Sequence, residues 1–216
     1  MFVRDHMVSP ALTVPPDMPF QDALKLMQNN QLRRLPVVDG GGKLIGIVAE
    51  RDLLYASPSP ATSLSVWELT YILSKIKVAE LMTKKVITTT PDTPIEDAAN
   101  LMVAKDVGAL PVVDEANKPV GMITTRDIFT ALVELFGGGQ PGLRLTLEVP
   151  NTKGVLAGLS SAIFDLDGNI ASVGTFPIKE KTDLTGLVLK VEGVSQNQLV
   201  NTLEKLGDHV VDARDV

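Results

Sequence analysis

Leu35-Pro36-Val37-Val38-Asp39, followed by Gly46 and by Arg51-Asp52, is a stretch that occurs twice in this chain. The second occurrence is Leu110-Pro111-Val112-Val113-Asp114, followed by Gly121 and by Arg126-Asp127. Every matched pair lies 75 positions apart, so no insertion or deletion separates the two copies. The match extends upstream to Met7 and Met82. Residues 1–130 are therefore an internal duplication, in which each copy is one structural unit.

The composition is that of an ordinary globular protein. The chain has 216 residues, of which 44% are hydrophobic and 21% charged, enough for two domains. Its formal net charge of −6 argues against non-specific binding to nucleic acid. The sequence has no cysteine, which excludes disulfides and cysteine nucleophiles and favours a reducing, cytoplasmic location. No apolar run approaches the roughly 20 residues of a membrane helix, and no membrane association is expected.

Each copy is predicted to contain a strand, a helix, two strands and a helix. The first strands are placed at 11–14 and 86–89. In the second copy, Thr93, Pro94 and Glu96 predict a capped helix start. The Leu-Pro-Val-Val segments predict strands, because proline holds the preceding residue extended and valine favours a sheet. Such units are too small to bury both sheet faces, so the copies are expected to pack on each other.

The domain boundaries follow from these elements. The copies are placed at 1–54 and 78–136. Between them, 55–77 is predicted to be a loop and an amphipathic helix whose Trp67 packs against a neighbour. The Gly/Pro-rich stretch 137–142 is a linker. Residues 143–216 then alternate strand and helix patterns in the order βαββαβ, which is typical of a ferredoxin-like domain.

The two copies resemble cystathionine-β-synthase-type (CBS) domains, whose tandem pair is known as a Bateman module. The resemblance rests on the leading methionine, the Leu-Pro-Val-Val-Asp strand and a closing Gly-h-h-Thr-x-x-Asp segment, in which h is apolar. It implies a cleft between the copies that binds an adenosine-containing ligand such as AMP, ADP, ATP or S-adenosylmethionine. It also implies that two modules pair as a homodimer.

The closing segment of the second copy is complete, with Thr124 and Asp127. An ionised aspartate can accept hydrogen bonds from both ribose hydroxyls, and a threonine hydroxyl can bond to ribose or phosphate. The same spacing is also typical of a helix cap that needs no ligand, and this alternative stays open. In the first copy Ala49 replaces the threonine while Asp52 is kept.

Basic residues are distributed in the opposite way, since Arg33 and Arg34 correspond to Gly108 and Ala109. The resemblance implies that Arg33 or Arg34 meets phosphate in a composite cleft, a role that suits guanidinium groups; solvation at a turn is the alternative. We therefore expect one complete site and one degraded site. The residues assigned to nucleotide binding are Thr124, Asp127, Arg126, Asp52, Arg33, Arg34, Pro111, and Thr13 and Val14, whose backbone is expected to contact the base.

The C-terminal domain resembles the small regulatory modules called ACT domains, through the stretch 149–156. In that family the loop between the first strand and first helix presents backbone N–H groups and a glycine to an amino acid. Asn151 and Gly154 occupy this loop. Asparagine stands where aspartate is common in the family, and Gly154 is also explained by a tight turn. Binding of an amino acid or small metabolite, and dimerisation without a ligand, are both retained.

A CBS pair followed directly by an ACT domain resembles the acetoin-utilisation (AcuB-like) proteins over the whole chain. The predicted fold is α/β (α+β): a Bateman module followed by a ferredoxin-like βαββαβ ACT domain. No Ser-His-Asp order or Walker sequence is present, so catalysis is not expected and no cofactor or metal is assigned. We predict a homodimeric regulator of an unidentified protein, with a ligand-free, partner-binding scaffold as the alternative.

Overall fold

The computed structural model describes residues 1–56 and 75–216. It divides into two compact units, Met1–Ile128 and Phe129–Val216. The predicted loop and helix that contain Trp67 fall largely in 57–74, outside the described residues. Within the two described ranges, no helix is long and apolar enough to cross a membrane.

The duplicated region consists of two similar ααββα units, each built on an antiparallel hairpin. The elements of the first copy are α1 (Val3–His6), α2 (Phe20–Asn29), β1 (Arg34–Val38), β2 (Leu44–Ala49) and α3 (Glu50–Tyr55). Those of the second are α4 (Val78–Leu81), α5 (Ile95–Lys105), β3 (Ala109–Val113), β4 (Pro119–Thr124) and α6 (Thr125–Leu135). Pro36 pairs with Ile47 and Pro111 pairs with Met122, so the register repeats as well.

The predicted first strands are reduced to single residues. Val14 forms one parallel bridge with Val37, and Thr89 forms one with Val112. The Val14 N–H donates to the Pro36 carbonyl and the Thr89 N–H donates to the Pro111 carbonyl, so the next donor upstream on each partner strand would be Pro36 or Pro111. Because proline has no N–H to donate, the pairing does not continue through 11–13 and 86–88.

Helix α5 begins at Ile95, and Pro94 occupies the N-cap position. No side chain forms a capping hydrogen bond there. The prediction that Thr93 caps this helix was wrong. The Thr93 hydroxyl oxygen instead lies 2.9 Å from that of Thr90 and accepts a bond from the Thr90 N–H at 3.3 Å. The short polar side chain stabilises the turn before the helix rather than the helix itself.

The two copies exchange their leading helices, α1 and α4. Val78 in α4 is fully buried in the core of the first copy, with Phe20 and Met27. Val3 in α1 is likewise buried in the core of the second copy, with Met102. Each core is therefore completed by the other copy's leading helix.

The leading methionines and the hairpin glycines fit one another across this exchange. A Cβ built on Gly121 would lie 2.6 Å from Met7 Sδ, and one on Gly46 would overlap Met82 Sδ. Only glycine leaves room for the sulphur atom at these positions. The two residue types therefore recur together because they form one contact.

The C-terminal unit has the predicted βαββαβ order. Its elements are β5 (Leu143–Pro150), α7 (Val155–Phe164), β6 (Asn169–Pro177), β7 (Leu184–Glu192), α8 (Gln196–Lys205) and β8 (His209–Asp215). The strands form one antiparallel sheet in the order β6-β7-β5-β8. Alternate β5 residues, from Leu143 to Val149, are buried against α7 and α8. This period of two is the pattern that predicted the strand.

Candidate functional site

Two cavities in the N-terminal unit are related by the 75-residue repeat. The larger, which we call the Asp52 cavity, has a volume of about 720 Å³. Its lining includes Arg33, Arg34, Ala49–Asp52, Thr83, 85–87, 106–109, Pro111 and Thr125. The smaller, the Thr124 cavity, has a volume of about 120 Å³ and is lined by Val8, 10–12, 32–34, Ala109, Met122 and Thr124.

Each cavity joins the closing segment of one copy to the leading segment of the other. In the Asp52 cavity the junction is the antiparallel bridge between Ile47 and Thr83. In the Thr124 cavity the equivalent bridge joins Met122 and Val8. Both sites are therefore composite, as the resemblance implied.

One difference between the two cavities is a pair of side chains. Residues 33 and 34 are arginines, whereas the equivalent positions next to the Asp52 cavity are Gly108 and Ala109. The Arg34 guanidinium lies against Gly108, where an added Cβ would be 3.3 Å from Arg34 Nη2. The two arginine side chains thus narrow the Thr124 cavity. Gly108 and Ala109 take up less space beside the Asp52 cavity, which stays open, and Arg33 and Arg34 also line its wall.

Asp127 and Asp52 differ in what they bind. The Asp127 carboxylate accepts hydrogen bonds from the Thr124 N–H at 2.8 Å and the Thr124 hydroxyl at 2.7 Å. This is the helix-cap arrangement that the spacing left open. At Ala49 no hydroxyl is available, and the Asp52 carboxylate has no hydrogen-bond partner among the described residues. Asp52 is half-buried, and both of its carboxylate oxygens can accept further hydrogen bonds.

Thr13 and Val14, assigned to the base, line neither cavity. Val14 is fully buried, and its N–H and C=O bond to Pro36 and Val38 at 3.0 Å. In 1–56 and 75–216, the backbone groups of Val86 and Ile87, which line the Asp52 cavity, make no hydrogen bond. For the larger cavity, the lining backbone with unused hydrogen-bonding groups therefore lies two positions earlier than the equivalents of Thr13 and Val14, and it belongs to the second copy.

Four cationic residues line the Asp52 cavity: Arg33, Arg34, Arg51 and Lys85. Three acidic residues accompany them, Glu50, Asp52 and Asp106. Sequence reasoning did not identify Lys85, Val86 or Ile87, because only the exchange of leading segments brings them beside Asp52. Pro111 does line this cavity, while Arg126 lines neither cavity.

A third cavity, of about 380 Å³, adjoins the loop between β5 and α7. Asn151, Thr152 and Gly154 line it together with the start of α7. Gly154 precedes the helix at a φ of +92°, which a side chain would strain. The sequence-predicted ACT residues therefore do meet at one concave surface, which we call the loop cavity.

The N-terminal region matches the CBS domain model at residues 3–59 and again at 78–134, more than half of the chain. The protein belongs to the CBS-domain family, as a tandem pair. Residues 141–214 match the TTHA0829-like ACT domain model. The predicted combination of a CBS pair with an ACT domain is confirmed, and both are regulatory modules.

Solved structures agree with this assignment over the CBS pair. The AcuB-type acetoin utilisation protein of Vibrio cholerae is 30% identical, with a TM-score of 0.52 over 63% of this chain and 93% of that one. CBSX2 in complex with AMP is 30% identical, with a TM-score of 0.53 over 62% of this chain and 97% of that one. The CBS pair of MJ0100, in complex with 5′-methylthioadenosine and S-adenosyl-L-methionine, is 28% identical, with a TM-score of 0.51 over 61% of this chain and 95% of that one.

Some relatives are enzymes that are much longer than the shared region. The homoserine O-acetyltransferase of Methanohalobium evestigatum is 35% identical over 135 residues. That match covers 62% of this chain and 24% of the enzyme. The likeness therefore concerns only about a quarter of the enzyme's length.

Proposed function

We propose that this protein is a non-catalytic regulator that senses an adenine nucleotide in the Asp52 cavity. The observation that carries the proposal is the meeting, in one open cavity, of four cations with a carboxylate and a backbone edge that make no hydrogen bond within 1–56 and 75–216. The carboxylate suits the two ribose hydroxyls, the backbone of Val86 and Ile87 suits the edge of a purine, and the cations suit phosphates.

The volume supports this choice of cavity. Small-molecule sites usually measure about 300–1,000 Å³, and the Asp52 cavity falls within that range at about 720 Å³. The Thr124 cavity, at about 120 Å³, does not. We therefore assign the ligand to the copy that lacks the threonine, which reverses the assignment expected from sequence. Thr124 and Asp127 serve in this proposal as a helix cap.

The cations favour a phosphate-bearing ligand over S-adenosylmethionine. The sulfonium group of S-adenosylmethionine is positive and would face Arg33, Arg34 and Lys85, whereas a polyphosphate would be attracted to them. We expect ATP and ADP to bind more tightly than AMP, and S-adenosylmethionine to bind most weakly. AMP and S-adenosylmethionine are the ligands of the similar CBS pairs CBSX2 and MJ0100, respectively.

Isothermal titration calorimetry with ATP on Asp52→Ala and Asp127→Ala tests the proposal. Loss of Asp52 removes up to two charge-assisted hydrogen bonds of about 1.5–3 kcal/mol each, so ATP affinity falls at least about tenfold. Asp127→Ala is the matched control: it removes a helix cap, costs about 1 kcal/mol of stability, and leaves ATP affinity unchanged.

Two outcomes would contradict this assignment in different ways. If Asp127→Ala loses ATP while Asp52→Ala keeps it, the ligand lies in the Thr124 cavity. If no nucleotide binds the unmodified protein or raises its melting temperature, the ligand-free scaffold is the better description.

The ACT domain adds a second sensing site in this proposal. The loop cavity, with Asn151 and Gly154, is large enough for an amino acid or another small metabolite. Regulation then requires each ligand to bind one arrangement of a homodimer more tightly than another. The regulated protein would read that change of arrangement.

A further inference from the structure

Lys190 is a buried lysine on the face of the ACT sheet that turns away from α7 and α8. Only 4% of its surface is exposed. Its β7 neighbours Leu189 and Val191 belong to the helix-covered core. Because side chains alternate along a strand, Lys190 and Val188 project from the opposite face. Lys190 is therefore a cation that is buried outside the main hydrophobic core.

The ammonium of Lys190 has only neutral partners among the described residues. It donates to the Gly137 carbonyl at 2.7 Å and to the Gln140 carbonyl. No carboxylate of the described chain forms an ion pair with it. An ammonium has three N–H donors, so one remains available. Burying a cation without a counter-charge is costly, which favours an anion at this place.

A cavity of about 810 Å³ opens beside Lys190, and we call it the Lys190 cavity. Its walls are mainly apolar, from Leu132, Val133, Phe136, Pro141 and Val188. The polar side chains that line it include Arg144, and no Asp or Glu of the described residues is among them. No residue lines both this cavity and the loop cavity. The Lys190 cavity is therefore a separate concave surface within the C-terminal unit.

Arg144 provides a second cation at the cavity. It sits directly opposite Lys190 in the β5–β7 pairing. Its Nη1 lies 3.7 Å from Asp212 Oδ2, whereas Arg214 Nη2 lies 2.6 Å from Asp212 Oδ1. The hydrogen bond from Arg214 lowers the pKa of Asp212, so that carboxylate is ionised and engaged mainly by Arg214. The Arg144 guanidinium is therefore only weakly paired with Asp212 and can form an ion pair with another anion.

We infer that the Lys190 cavity binds a small organic carboxylate with an apolar body. The ligand carboxylate would accept hydrogen bonds from the remaining Lys190 N–H and from the Arg144 guanidinium. Its apolar part would pack against Phe136 and Val188. A volume of about 810 Å³ accommodates such a molecule. A free amino acid fits poorly, because its ammonium would meet two cations and no acidic side chain. This ligand differs in class from the nucleotide and from the amino acid of the proposed function.

Calorimetry on the full-length protein with 4-methylpentanoate, leucine and 4-methylpentan-1-ol tests the inference. The three probes share one branched apolar group and differ in charge. The acid is expected to bind at least about tenfold more tightly than the alcohol, because only the acid gains charge-assisted hydrogen bonds. Raising the salt concentration should weaken binding of the acid and leave binding of the alcohol unchanged.

Two variants separate ligand binding from structure. Arg144→Gln is expected to lower the affinity for 4-methylpentanoate at least about tenfold. The melting temperature should stay near that of the unmodified protein. Lys205→Gln is the control, since Lys205 is an exposed cation of the same unit that does not line the cavity. It should leave acid affinity unchanged. Lys190→Met should abolish binding, and it should also lower the melting temperature because two carbonyls lose their donor.

The inference is overturned if Arg144→Gln binds the acid as tightly as the unmodified protein. It is also overturned if no straight or branched acid from butanoate to octanoate binds at all. Leucine binding that persists in Arg144→Gln would belong to the loop cavity, and would support the proposed function without supporting this site. A failure of ATP to bind would leave the carboxylate site unaffected, so the two proposals fail separately.

Discussion

Gly46 and Gly121 each lie beneath the sulphur atom of a methionine from the other copy. At Gly121 an added Cβ would lie 2.6 Å from Met7 Sδ and 3.0 Å from the Val8 carbonyl oxygen. The methionine can shift, but the carbonyl belongs to the bridge between Val8 and Met122 and cannot move freely. The contact therefore depends on glycine for close approach rather than for an unusual backbone angle.

We predict that Gly121→Ala lowers the free energy of unfolding by about 1–3 kcal/mol, the usual cost of overpacking a buried contact. Chemical denaturation monitored by circular dichroism measures the change. Gly40→Ala is the control, because a Cβ there would meet no atom within 4 Å, and its effect should stay within about 0.5 kcal/mol. Equal effects of the two substitutions would rule out the Met7 contact as the cause.

Asp52 and Asp127 show how far single residues could be interpreted from sequence. The repeat correctly identified them as equivalent and identified residue 49 or 124 as the difference. Whether threonine helps a ligand or satisfies the aspartate itself depends on distances that spacing does not provide. In the structure Thr124 satisfies Asp127. In the first copy Ala49 has no hydroxyl, and the Asp52 carboxylate accepts no hydrogen bond from the described residues.

At the scale of elements, α1 and α4 are too short to be stable alone, since each has only four residues. They are held by the other copy. The Val3 N–H donates to the Thr93 carbonyl at 2.9 Å, and the Val78 N–H donates to the Met18 carbonyl at 3.0 Å. Burial of one valine in each case anchors the helix in the opposite core. Each core therefore depends on a segment of the other copy.

We predict that Val3→Ala loosens the second copy more than the first, although Val3 lies in the first copy's sequence. The loss of two buried carbons costs about 2 kcal/mol. Native-state hydrogen exchange should show reduced protection mainly in α5 and β3. Val78→Ala is the matched control and should give the converse pattern in α2 and β1. Loss of protection in the substituted residue's own copy alone would contradict the exchange.

Periodicity and turn residues predicted the hairpins, the helices α2 and α8 and the whole βαββαβ order, because those signals are local. They could not predict which copy receives each leading helix, since the two arrangements have the same sequence pattern. Lys85, Val86 and Ile87 were missed as site residues for that reason. The first strands were predicted too long because pairing there ends at proline, after a single bridge.

At the scale of the whole molecule, the chain comprises two units with separate cores. The core of Phe129–Val216 is built from β5, β7, α7 and α8. The cores of Met1–Ile128 are those completed by the exchanged helices. A ligand stabilises the cooperative unit to which it binds, by an amount set by its concentration relative to its Kd. The proposed ligands are therefore distinguishable by which unit they protect.

We predict that ATP at about 100 times its Kd raises the free energy of hydrogen exchange across the core of Met1–Ile128 by about 2.7 kcal/mol. The exchange rates of β5 and β7 should stay unchanged. The strongest local protection should fall at 49–52 and 83–87, the two segments that form the Asp52 cavity. Asp52→Ala should remove both effects at the same ATP concentration. Equal protection of both units would show that they unfold together, whereas protection confined to β5 and β7 would place the nucleotide in the ACT domain and contradict the proposed site.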